Sequence, residues 1–339
     1  MPVMADVSMR AKMGRIGAAA VATALALLTA HSAFAINCRA AATRQEKAIC
    51  ADAAAKSADE RMAEAFTVLR SQMPEAERDA LMTDQRHWIT TRNDGCTYDS
   101  QGQALAGPAL SACLAGESER RRLFLSGMPA DGPGLPGSIR PFFIKGGDGR
   151  VISGLRFTAP QSAGEQLFNR AVEGQLKTVN VASSRDGDAT DDFAMTLHYA
   201  SQAVVSAEVV ISYPSSAHPV DHHGNVNIDL AAGKMLAFDN VFRRNALDAL
   251  VAKCRPQLDD FIGEAAKVDL SDNDMRESIM RDREKLVRAS TADMSRWSLG
   301  SRRLTLTIDD EAASRITSVC HLEMSQVKAL MQPGFGLAP

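Results

Sequence analysis

Aromatic side chains are scarce in these 339 residues: they make up 5% of the chain, with only two tryptophans and three tyrosines. Packing must therefore rest on Leu, Val, Ile, Met and Ala, within a hydrophobic fraction of 45% that also excludes wholesale disorder. An excess of positive charge is missing too, since 38 Lys and Arg stand against 41 Asp and Glu for a formal net charge of −3. That balance excludes a strongly basic nucleic-acid binder. Long apolar runs are confined to residues 16–30, and no other stretch is long enough to span a bilayer. The chain has no nucleophile elbow, Gly-rich phosphate loop, H-E-x-x-H helix or Walker-type lysine. It also has no Cys-x-x-Cys, which removes both the short zinc pair and the thiol-exchange motif.

What is present begins with a targeting pattern. Arg10, Lys12 and Arg15 precede the apolar run, and Ala33-Phe34-Ala35 puts small residues at both positions read by a signal peptidase. The pattern predicts a signal peptide over 1–35, cut after Ala35, and export to the periplasm or the medium with no membrane span left after cleavage. A retained anchor is the competing reading, which the run is too short to favour because a span takes about 20 apolar residues. Cleavage leaves 35 basic against 40 acidic residues, a net charge of −5.

All six cysteines follow the cut, and an even number in an exported chain reads as disulfides. Cys38, Cys50, Cys96 and Cys113 lie early and Cys254 and Cys320 late. Pairing within each group leaves three arrangements for the first and one for the second. The preferred set is Cys38 with Cys50, Cys96 with Cys113, and Cys254 with Cys320.

Helix signals dominate the first part. Thr43 and Glu46 form a capping box that opens a helix over 44–56. Ala58, Met62, Leu69 and Met73 recur at helical spacing, and Pro74 opens a further helix carrying Leu81, Gln85, Trp88 and Arg92. The segment 113–125 reads as the last helix, with Arg120, Arg121 and Arg122 as a solvated charge run or a phosphate or glycan contact. Residues 126–137, SGMPADGPGLPG, hold almost no core former and read as a Gly/Pro linker, a partly stiff spacer.

Beyond the linker the periodicity is mixed. Strands are expected over 139–144 and 151–157, followed by a helix through Phe168, Val172 and Leu176. Phe193, Met195, Leu197 and Tyr199 alternate, as do Val205, Ala207, Val209 and Ile211, which predicts an antiparallel hairpin. Val226, Ile228 and Leu230 mark a strand. A helix starts near Asn245, with Pro256 as a kink or end, and strands follow over 304–308 and 316–322. The fold class is multidomain: a small disulfide-linked all-α bundle over 36–125, followed by an α+β domain over 138–339 with a mainly antiparallel sheet.

One dense polar constellation stands out, at 215–225. His218 and His222 are four apart, but Pro219 and Gly224 oppose a helix that would align them. If the loop folds back, His218, Asp221 and His223 are the candidate metal ligands; the alternative is a solvated or structural loop. Trp88 and Trp297 read as packing residues rather than sugar-stacking platforms. No catalytic residue and no cofactor are assigned.

Residues 34–125, through FAINCRAAATRQEKAIC, QRHWITTRNDGC and CLAGESERRRL, resemble the N-terminal domain of the LprI-type lysozyme-inhibitor family. The resemblance implies an all-helical periplasmic domain with Cys38, Cys50, Cys96 and Cys113 oxidised, acting against lysozyme. Residues 139–333, through ISYPSSAHPVDHHGNVNIDLAAGKMLAFDNVF and LTLTIDDEAASRITSVCHLEMSQVKALM, resemble the extracytoplasmic part of RsiV-like anti-sigma factors, with Ser215-Ser216 where Gly-Gly is usual. The combined expectation is a non-enzymatic binding protein whose partner is lysozyme or a peptidoglycan-related ligand. Its alternatives are a structural envelope protein, or a metal-assisted cell-wall hydrolase using His218, Asp221 and His223. Oligomeric state is not legible.

Overall fold

The computed structural model describes residues 35–99, 102–146, 151–179, 192–213, 220–267, 273–310 and 316–337. The expected signal peptide up to residue 34, and His218, lie outside them. Among the described residues no helix is long and apolar enough to cross a membrane.

The first helix, α1 (Arg44–Ala51), starts as its sequence dictates: the Glu46 amide donates to Thr43 Oγ1 at 3.1 Å and the Thr43 amide donates to the Glu46 carboxylate at 2.9 Å. It stops sooner than expected. Asp52 is extended, and its carboxylate accepts the Ala55 amide at 2.8 Å, so a second helix, α2 (Ala53–Gln72), begins at once. The single helix predicted over 44–56 is thus two, because Asp52 caps amides better than it continues a helix. Next come α3 (Glu75–Gly95) and α4 (Gly107–Ser126). The last of these begins six residues before the expected start at Cys113, with Pro108 in its first turn, where a missing amide costs nothing.

The α+β part opens with the antiparallel pair β1 (Ile139–Lys145) and β2 (Val151–Phe157), then α5 (Ala163–Leu176), again entered through a capping box at Ser162 and Glu165. A four-stranded antiparallel sheet follows: β3 (Asp192–Ala200), β4 (Val204–Tyr213), β5 (Val220–Asp229) and β6 (Lys234–Met235), in that spatial order. After a short α6 (Phe238–Val241) come α7 (Leu247–Lys267) and α8 (Asn273–Ala292). They pack on a three-stranded sheet of β7 (Trp297–Leu299), β8 (Arg303–Asp310) and β9 (Ile316–Glu323), and α9 (Met324–Val327) follows.

Pro256 neither ends α7 nor stands at its edge. Contacts on either side hold the helix through the lost amide. Leu250 and Leu258 are buried, Cys254 is bonded to Cys320 on β9, and Gln257 exchanges two hydrogen bonds with the His321 backbone, at 2.8 and 2.9 Å. The other disulfides join Cys38 to Cys50 and Cys96 to Cys113.

Two cores occupy the α+β part. One places Phe168 and Val172 of α5 against Leu155, Leu197, Val209 and Ile228. The other surrounds Trp297, which is fully buried, lies 5.5 Å from Phe242 and donates its indole N–H to the Thr291 carbonyl at 3.0 Å. The helical core of Met62, Phe66 and Leu81 takes in Phe143 from β1, so the two parts abut directly.

Residues 126–137 do not behave as a spacer. The Ala130, Asp131 and Gly134 amides donate to the Leu197, His198 and Ala200 carbonyls at 2.9, 3.0 and 3.0 Å, laying the segment along the outer edge of β3. Asp131 then accepts from Ser301 Oγ at 2.8 Å and from the Arg302 amide at 3.1 Å. A segment poor in core formers still carries backbone donors, and an open strand edge offers matching acceptors.

Candidate functional site

Strand alternation gives the four-stranded sheet two unlike faces. Leu197, Ala207, Val209, Val226 and Ile228 point to the core beneath α5. The opposite face carries His198, Ser206, Glu208, His223, Asn225 and Asn227. An irregularity in the β3–β4 register between Leu197 and Tyr199 sets the position of His198. The Glu208 carboxylate on β4 bridges its neighbours, with Oε2 3.1 Å from His198 Nε2 and Oε1 3.1 Å from His223 Nδ1. Burial pushes this carboxyl up. The hydrogen bonds and charges of the two imidazoles outweigh that and hold it at about 2. His223 is raised in turn, first by its hydrogen bond to Glu208, against burial, and then by the charges of Asp309, Glu208 and Asp221.

This cluster is tied to the second sheet. The His223 amide donates to Asp309 Oδ2 at 2.8 Å, and Arg296 Nη1 donates to the same oxygen at 2.9 Å and to the His223 carbonyl at 3.1 Å. Below it, Asn227 Nδ2 lies 2.7 Å from both the Met294 and Trp297 carbonyls, Ser298 Oγ donates to Asn225 Oδ1 at 2.8 Å, and the Leu299 amide donates to Ser206 Oγ at 3.0 Å. Side-chain hydrogen bonds therefore join the two sheets along this seam, beside the apolar contact of Tyr199 and Val204 with Trp297 and Leu299, and they leave Asn227 Oδ1 buried without a partner among the described residues.

Of the sequence-predicted ligands, Asp221 and His223 lie on β5 and not in a loop; pairing with β4 extends back to Val220, opposite Tyr213. Both share a face and both have partners on β4: Ser212 Oγ donates to Asp221 Oδ1 at 2.5 Å, and Glu208 takes His223. Among the described residues no group of three or more His, Cys, Asp or Glu is arranged to hold a metal ion. His198 and Glu208 escaped the sequence reading, although a lone glutamate inside Val-Val-Ser-Ala-Glu-Val-Val-Ile was a visible signal.

The helical part carries its own buried ionic groups. Arg92 Nη1 lies 3.0 Å from Asp59 Oδ1, and Arg121 pairs with Asp84 and donates from Nε to Gln85 Oε1 at 3.0 Å. Both guanidinium groups lie over the Trp88 ring, Arg92 at 5.0 Å and Arg121 at 5.6 Å from its centroid. The expected solvated run at 120–122 is therefore corrected at its centre. Arg121 is buried, while Arg120 and Arg122 pair with Glu117 and Glu119 on their own helix. Where α2, the end of α4 and the start of β1 meet, a cleft of about 450 Å³ opens.

Residues 38–125 match the family described as Lysozyme inhibitor LprI. No curated protein matches the chain. Among solved structures, a member of the DUF3298 family from Bacteroides fragilis NCTC 9343 is similar with 12% identity and a TM-score of 0.29, over 50% of this chain. The alignment spans 65% of that protein, just under two thirds of its length. A DUF3298 family protein from Pseudomonas aeruginosa PAO1 is similar with 14% identity and a TM-score of 0.35, over 59% of this chain and 95% of its own.

Proposed function

We propose that this chain is an exported, non-enzymatic binding protein of the cell envelope whose helical part, over 36–125, engages lysozyme. The observation that carries the reading is the match of 38–125 to the lysozyme-inhibitor family. Two disulfides and two buried ion pairs brace that part, so little conformational freedom is lost when it docks. Paired cysteines suit the oxidising compartment to which the N-terminal pattern directs the chain. The resemblance of 139–333 to RsiV-like extracytoplasmic domains supports an envelope location for the unit over 138–339, with 126–137 between the two.

A net charge of −5 after cleavage assists encounter with lysozymes, which are typically cationic, and acts on association rate more than on specificity. The test is titration of the exported chain into lysozyme digesting cell walls, with surface plasmon resonance on the same pair. Inhibition is expected, with an association rate that falls from low to physiological salt and a dissociation rate that changes little. A chain that retains neither lysozyme nor peptidoglycan fragments would overturn the reading.

A further inference from the structure

The cleft beside β1 is built by both parts of the chain. Its lining includes Leu69 of α2, Leu125 of α4 and Ile139 of β1, which are buried, Ala65 and Val68 of α2, which reach solvent, and Arg61, Arg122 and Arg140. At about 450 Å³ it lies in the size range of small-molecule sites, about 300–1,000 Å³. Gly127 fixes the geometry of the junction. It ends α4 at φ +61°, and a Cβ there would lie 2.0 Å from the Ile139 carbonyl oxygen, so α4 passes against β1 in a way only glycine allows.

The charges are not balanced. Arg122 is held by Glu119, which Arg61 also approaches at 3.5 Å, and Glu64 lines the same cleft. Three guanidinium groups against two carboxylates leave a surplus of one positive charge. Arg140 has no carboxylate partner among the described residues, and across the ladder it stands opposite Arg156. Such like-charge pairing is unfavourable, and an anion at Arg140 relieves it. Val68, whose residue surface is 49% exposed, is the large apolar side chain of the lining that faces solvent.

We propose that this cleft binds a monoanionic amphiphile, an acyl chain ending in a carboxylate, with the carboxylate at Arg140 and the chain along Ala65 and Val68. A planar guanidinium matches a carboxylate through two parallel N–H···O bonds, and the chain removes apolar wall from water. Neither part of the protein supplies the site alone.

The test is calorimetry on the full exported chain with decanoate below its micelle threshold. One decanoate per chain is expected, acetate binds far more weakly, and decyltrimethylammonium does not bind. Arg140→Gln weakens decanoate binding about tenfold or more, the loss expected for a charge-assisted hydrogen bond. Val68→Glu, at an exposed position where folding is not at stake, weakens it as well. Equal binding of the cationic amphiphile, or decanoate binding unmoved by both variants, would overturn the proposal.

Discussion

Asp59 and Arg92 face each other at 3.0 Å with each side chain 3% exposed, and the same carboxylate accepts the Ile36 amide at 3.0 Å. Burial lowers the Arg92 pKa from its ordinary value, while the charge and hydrogen bond of Asp59 oppose that drop. Removing one member strands the other charge away from water. Asp59→Ala is therefore expected to cost about 3–5 kcal/mol, and Asp59→Ala with Arg92→Met to recover a large part of it. Denaturant melts followed through Trp88 fluorescence measure both, since that indole ring lies 5.0 Å from the Arg92 guanidinium.

The triplet of His198, Glu208 and His223 makes stability depend on pH in two directions. Glu208 is depressed from 4.5 to about 2, so its contribution is complete above 4.5 and is lost as pH falls toward 2. His223 is raised above 6.5, so its contribution is complete below 6.5 and is lost as pH rises through the elevated value. The stability difference between wild type and Glu208→Gln should peak between about pH 4.5 and 6.5, at on the order of 2 kcal/mol, and shrink on both sides. Urea melts across that range measure it; a flat difference would remove the ionic reading of the cluster.

The three disulfides close loops of unlike length. Cys254 and Cys320 are 66 residues apart, against 12 and 17 for the other pairs. Chain-entropy reasoning gives about 4 kcal/mol for the long loop and about 3 kcal/mol for each short one. Replacing Cys254 and Cys320 by Ala should thus be the most damaging of the three double substitutions, and should act on the Trp297 signal before that of Trp88.

Asp131 anchors the crossing segment to the turn before β8. Burial pushes its carboxyl up, and hydrogen bonds from Ser301, Arg302 and Gly132 outweigh this and keep it below its ordinary value. Its contribution is present above pH 3.8 and is lost as pH falls below. Asp131→Ala is expected to cost about 1–3 kcal/mol. Hydrogen exchange should quicken at the Ala130, Asp131 and Gly134 amides and stay unchanged at Met62 and Phe66.

Local rules made much of the fold legible. The capping box at Thr43 and Glu46 and the alternation of 193–199 and 205–211 each depend on neighbours in sequence, and each took the expected form. The segregation of four early cysteines from two late ones singled out the Cys254–Cys320 pair but left three arrangements for the early four, of which the structure forms the preferred Cys38–Cys50 and Cys96–Cys113. What escaped depends on distant partners. Arg121 reads as one of three surface arginines until Asp84 and Gln85 of another helix come beside it. Glu208 and His198 meet only once the β3–β4 register and its irregularity are set, and nothing local reveals that the amides of 130–134 will find β3.

That last pairing bears on how the chain can be divided. In the whole protein the Leu197, His198 and Ala200 carbonyls are covered by the Ala130, Asp131 and Gly134 amides. A fragment starting at residue 138 has the sheet without its cover, and a bare row of acceptors recruits whatever extended strand is nearest. At high concentration that strand belongs to another copy of the fragment. The crossing segment thus acts as a guard against self-association, and a soluble second half should begin at or before Met128 rather than at the first residue of β1.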